Sequence, residues 1–347
     1  MSKQILKELP ELIHAQVITE ETAHRIKDYY DNQPSQSSNR LFIIFGILGA
    51  LLIGLGLVLI IAHNWDDLSK VAKLVIGLLP LLAGQVATVY VLLNKRESNA
   101  WRGGTATFLF LAIAVSISIV SQVYNIEGDL KGFLFTWMCL ALHLPYVLRS
   151  SVASLLFIIG ITWYACEAGY FNYPLSNSSA YWIFLILILP FYYLEFIRKN
   201  IKNNFFYFHS WLLGISVIIC LGLFADHGDA EFILIAYVSL FSAYVLMGQM
   251  KAFETGRVLS NAYLVCGSLG IVILLLTLSF DWYWDEIFDK TFENVFVQDS
   301  FLAALFLTLA AIFLLLHVLR TNKWSALNSK SYAFLVFIVL FIMGMFS

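Results

Sequence analysis

The sequence predicts an all-α, polytopic bundle of about eleven membrane-spanning helices with a small helical hairpin in front of it. Three observations carry this. Apolar residues make up 60% of the 347 and charged residues only 13%, whereas a soluble domain carries about 25% charged residues. Too few charges are left to clothe a polar surface. Apolar runs near the roughly 20 residues needed to cross a bilayer recur along the chain. Lysine and arginine concentrate in alternate connecting segments, as the positive-inside rule describes for spanning proteins.

The elements follow in order. "ELPELIHAQVITEETAHRIKDYYD" reads as two short helices. Leu9, Leu12 and Ile13 share a face, Thr19 is a suitable N-cap, and Glu20 and Glu21 sit where the helix dipole favours them. Residues 1–30 form the expected hairpin and 31–40 ("DNQPSQSSN" within it) a polar linker. Residues 41–347 form the transmembrane domain. Its spans are expected at 41–63, 71–94, 104–124, 132–148, 151–168, 180–197, 205–224, 231–249, 259–280, 300–320 and 331–346, with the ends of 132–148, 151–168 and 331–346 the least defined. Between 281 and 299, aromatic and acidic residues alternate at roughly helical spacing, as in a helix lying on the interface.

With the N-terminus in the cytoplasm, only Lys70, Lys73, Lys131 and Lys290 of the 21 lysines and arginines fall on the far side. That side is acidic instead, with Asp66, Asp67, Glu127 and Asp129 among its residues. An odd number of spans puts Ser347 there, outside the cytoplasm. No apolar stretch follows the early lysines, so no signal peptide is expected. The net charge of -2 gives no reason to expect a nucleic-acid partner. Cys139, Cys166, Cys220 and Cys266 each fall in an apolar run without ligand spacing and read as packing residues.

Polar density gathers at the outer ends of the first four spans. "AHNWDDLSKVAK" (Ala62–Lys73) joins spans one and two, and "SISIVSQVYNIEGD" (Ser116–Asp129) closes span three. Sequential helices with short loops tend to be neighbours, so these corners are expected to face one another. Asn64, Trp65, Lys73, Gln122, Tyr124 and Asp129 are the candidate ligand-binding residues. The amide and phenol groups can donate and accept, and the lysine can meet an anion. A clasp that fixes four helix ends is the structural alternative. Gln85 is the deepest polar side chain of span two. His143 reads as a packed imidazole, and Glu195 as a surface ion pair with Arg198 or Lys199. The glycines of the first span suggest a close helix contact, and Pro80 and Pro190 suggest kinks. No metal-binding cluster, phosphate-cradling loop or nucleophile paired with a base is recognisable, so no metal, cofactor or catalytic residue is assigned.

Four stretches carry a resemblance: "LIHAQVITEETAHRI", "HNWDDLSKVAK" after the Gly-rich first span, "SQVYNIEGD", and "TWMCLALHLPYVLRSSVASLL". With these the chain resembles a bacterial family of predicted inner-membrane proteins, the domain-of-unknown-function family twenty-one fifty-seven. The likeness covers roughly the first half. Ahead of the Val-Ile pair of the hairpin that family often has a glycine, and in this chain Gln16 stands near there. The resemblance implies a multi-span inner-membrane protein with a cytoplasmic helical pair, and makes Asn64, Trp65, Gln122, Tyr124 and Asp129 part of the family pattern.

Three functions compete. The first is a non-enzymatic protein that binds or transports a small or lipid-like molecule through an outward-facing polar cavity. The second is a membrane-embedded enzyme acting on a lipid-linked substrate, with Asp66, Asp67, Glu127 or Asp129 as acid or base. The third is a scaffold in the lipid bilayer whose hairpin recruits a cytoplasmic protein.

Overall fold

A computed structural model describes residues 9–31, 65–171, 179–224, 230–253, 258–280 and 299–321, and all regular structure among them is helical. The chain divides into two compact units, Met1–Ser69 and Lys70–Ser347.

In the first unit residues 9–14 are helical and helix α1 runs Glu20–Asp31. Between them the chain reverses on Gln16, whose φ of 54° lies in the left-handed region. The Val17 and Ile18 amides both donate to the Leu12 carbonyl, at 3.0 and 3.4 Å, closing the helix end. Thr19 caps α1 as expected, its Oγ1 accepting from the Thr22 amide at 3.3 Å. Leu9 and Ala23 are buried.

The second unit holds α2 (Lys70–Asn94), α3 (Asn99–Tyr124), α4 (Leu130–Ala141), α5 (Leu144–Leu148) and α6 (Ser151–Gly169). It continues with α7 (Ser179–Tyr192), α8 (Asn204–Leu221), α9 (Ala230–Gln249), α10 (Ala262–Leu278) and α11 (Asp299–Thr321). Among the described residues, eight segments are long and apolar enough to cross a membrane, α4 and α5 counting together as Leu130–Leu148, and α10 is a shorter apolar helix. Every expected span from 71–94 to 300–320 falls on one of these. The expected spans 41–63 and 331–346, the linker 32–40 and the interfacial stretch 281–298 lie outside the described residues.

Helix starts are set by short polar side chains that accept from an amide three residues on. Ser98, Asp129, Ser150, Asn203 and Asn261 do this for α3, α4, α6, α8 and α10. The expected span 132–148 is not one helix. Pro145 cannot donate to the Ala141 carbonyl and its ring crowds that carbonyl, so the chain turns at Leu142–His143 and restarts as α5. Pro80 lies within a continuous α2. Pro190 is followed by a π turn, Tyr193–Ile197, a common way for a helix to absorb such a break.

Close helix contacts rest on small residues, as expected where lipid and core are equally apolar. A Cβ on Gly77 would come within 2.7 Å of Ile119, and one on Gly84 within 2.9 Å of Leu109, which brings α2 against α3. Gly267 approaches the α9 backbone at Phe241 and Val245. Buried polar clasps add direction. Ser216 on α8 bonds Thr162 on α6 at 2.6 Å and Tyr181 on α7 at 2.7 Å. Tyr192 bonds Ser210 at 2.6 Å. Glu195 pairs with Lys199 at 2.6 Å on the half-exposed surface, the ion pair its spacing suggested.

Candidate ligand-binding cavity

Between α2, α3 and α4 lies a cavity of about 820 Å³. Two interhelical hydrogen bonds frame it. Ser116 of α3 donates to the Gly77 carbonyl of α2 at 2.8 Å, and the Trp137 indole of α4 donates to the Phe110 carbonyl of α3 at 2.8 Å. Phe110 and Phe133 both pack on the Trp137 ring, with centroids 4.8 and 5.8 Å away. The walls are largely apolar, with Leu81, Leu109, Ile113, Ile117, Phe133 and Leu140 among them. Ser116, Ser118, Ser121, Gln122 and Thr136 interrupt this surface with hydroxyl and amide groups.

One end is built by the α3–α4 connection. Asn125 ends α3 at φ 49°, a conformation an Asn side chain tolerates better than most. Its amide donates to the Gln122 carbonyl at 3.4 Å, and the Ile126 amide reaches the Ser121 carbonyl at 2.9 Å. This pair of bonds is a Schellman closure. The Ser121 hydroxyl donates back to the Ile126 carbonyl at 3.0 Å. Two residues beyond the Glu127–Gly128 link, the chain re-enters a helix at Leu130, with Asp129 accepting from the Gly132 amide at 2.8 Å. The stretch "SQVYNIEGD" is thus a C-cap joined to an N-cap, and it sets Glu127 and Asp129 at the cavity's end.

Of the six candidate residues, Gln122 and Asp129 line this cavity. Tyr124 is 59% exposed and is not among the lining residues. Lys73 is half-buried in the first turns of α2 and likewise outside the lining. Trp65 is half-buried in the turn preceding α2 and belongs to the first unit. Asn64 lies outside the described residues. Of the alternative acid–base residues, Glu127 lines the cavity, while Asp66 and Asp67 are exposed in the turn before α2.

His143 is a correction. Read from sequence as a packed imidazole, it is exposed and lines the cavity, although its backbone stays helical at φ -73° and ψ -22°. The packed imidazole is His209, fully buried. Its Nδ1 donates to the Phe205 carbonyl at 2.7 Å, and its ring lies 4.9 Å from Phe196 and 6.0 Å from Tyr192. No sequence signal separates it from other residues of an apolar run. Thr136 was also missed. It back-bonds to the Gly132 carbonyl at 2.9 Å, and its spacing of seven residues from Asp129 is the sequence signal that places both on one helix face. Cys220 and Cys266 are buried, Cys166 half-buried and Cys139 exposed, all as free thiols.

No curated protein and no solved structure matches the chain. Every residue lining the cavity falls within residues 10–154, the stretch that matches the model of the family described as predicted membrane protein (DUF2157).

Proposed function

We propose that this membrane protein binds, and in doing so transports or presents, a small lipid-like molecule in the cavity between α2, α3 and α4. One observation carries the reading. The cavity, about 820 Å³, has the size typical of small-molecule sites, and combines apolar walls with a few convergent polar groups. An amphiphile matches both surfaces at once. Gln85, Gln122, Thr136 and His143 are the uncharged polar groups within its reach. The charge bias of the loops supports eleven spans in a bacterial inner membrane, the N-terminus cytoplasmic and the Glu127–Asp129 end of the cavity facing the periplasm. The helical segment before α2 is then available to a cytoplasmic partner.

The test uses the full-length protein in detergent and a C16 alcohol bearing a photoreactive diazirine. Photolysis should place adducts on peptides of residues 109–143, and excess unlabelled alcohol should suppress them. Thr136→Trp, which fills the cavity from α4, should remove most of the adduct while leaving the melting temperature nearly unchanged. Adducts spread evenly over lipid-facing helices such as α11, insensitive to competitor and to Thr136→Trp, would exclude a ligand in this cavity.

A further inference from the structure

The far end of the cavity carries a feature that a simple lipid-tail pocket does not need. Gln85 and His143 line it, and both side chains are exposed. Gln85 lies 15 residues into α2 from Lys70, about 22 Å along the axis. His143 lies 13 residues into the Leu130–Leu148 segment, about 20 Å. The hydrocarbon core is about 30 Å thick, so both groups stand past the middle of their own helices. Around them the lining is Leu81, Leu109, Ile113 and Leu140, which offers no hydrogen-bonding side chain. An exposed amide and an exposed imidazole at that depth each lose water unless something polar meets them, and an unpaired polar group there costs about 1–3 kcal/mol.

We infer that the ligand enters head-first, with an uncharged hydrogen-bonding headgroup held by Gln85 and His143 deep in the membrane and its chain lying along Ile113, Ile117 and Leu140 toward the Glu127–Asp129 end. The inference rests on the cavity being a ligand site and adds the ligand's class and direction. Glutamine and neutral imidazole each offer one donor and one acceptor face, which suits a hydroxyl, carbonyl or amide headgroup. A charged headgroup at this depth would be costly without a counter-charge, and the deep lining holds no carboxylate, lysine or arginine. Glu127 and Asp129 at the opposite end disfavour anionic heads from resting there. The ligand class is therefore a long-chain neutral amphiphile, such as an aliphatic alcohol or a prenyl carbonyl compound.

Two C16 alcohols decide the matter, one with the diazirine beside the hydroxyl and one with it at the methyl end, each photolysed in the full-length protein. The hydroxyl-end probe should mark peptides containing Gln85 and His143, and the methyl-end probe those around Ile126–Phe133. The reverse pattern overturns head-first binding while leaving the cavity a ligand site. No competitor-sensitive adduct from either probe removes the site itself. The double variant Gln85→Leu/His143→Leu should weaken competition by hexadecanol about tenfold, the loss expected for two neutral hydrogen bonds, and leave competition by hexadecane unchanged. An equal loss for both competitors, or none for hexadecanol, overturns the deep headgroup contact. The single variants Gln85→Met and His143→Phe keep the test valid if the double variant melts early.

Discussion

Among the described residues, four other than glycine, Gln16, Asn125, Arg149 and Asn200, hold φ between 45° and 54°. Gln16 ends the first helical stretch just ahead of Val17 and Ile18. A side chain with a Cβ is strained there, so Gln16→Gly should stabilise the 9–31 segment by about 1 kcal/mol. Slower amide exchange at Val17, Ile18 and Ala23 would report it, and unchanged or faster exchange would show that the strain is offset elsewhere. Asp129 does two things at once, capping α4 and lining the cavity. Asp129→Ala should cost about 1 kcal/mol of stability, read as a lower melting temperature in detergent. Asp129→Asn keeps an accepting oxygen and should restore most of it. If Asn and Ala melt alike, the cap contributes little to the fold.

At the scale of elements, the bundle is joined by glycine contacts and polar clasps rather than by amphipathic stripes. Gly267 and Gly104 make the contrast testable. A Cβ on Gly267 would stand 2.7 Å from the Phe241 carbonyl oxygen and 2.8 Å from the Val245 amide nitrogen, whereas one on Gly104 meets nothing within 4 Å. Because backbone cannot swing aside, Gly267→Ala should force α10 from α9 and destabilise by about 1–3 kcal/mol. Gly104→Ala should be neutral or stabilising by up to about 1 kcal/mol, from helix propensity alone. Thermal melts of the two variants in one detergent compare them directly, and equal melting temperatures would show that α9 and α10 can separate without cost. The break at Leu142–His143 belongs to this scale as well. It comes from Pro145, which has no amide to give the Ala141 carbonyl.

For the whole molecule, the charge bias makes a prediction about topology. Reporter fusions after Arg102, Lys202 and Lys323 should read as cytoplasmic, and fusions after Asp129, Asp229 and Ser347 as periplasmic. A periplasmic signal at Lys202 would break the eleven-span arrangement. Removing residues 1–38 should leave an inserted, folded protein, since a polar linker follows the helical pair. Degradation or aggregation of the truncated chain would instead make that pair part of the packed core.

What the sequence by itself determined was local. Span positions from 71 to 320, the cap at Thr19 and the Glu195–Lys199 pair follow from hydropathy over about 20 residues or from contacts three to four residues apart. The tertiary structure decided which faces meet. Helices such as α6, α8 and α10 are apolar all round, so no stripe says which side is buried. The Thr162–Ser216–Tyr181 clasp, the burial of His209 and the meeting of Gln122, Asp129, Gln85 and His143 in one cavity depend on helix rotation. That rotation is set where Gly77, Gly84 and Gly267 allow backbones to approach, a contact between residues far apart in sequence that composition and periodicity do not encode.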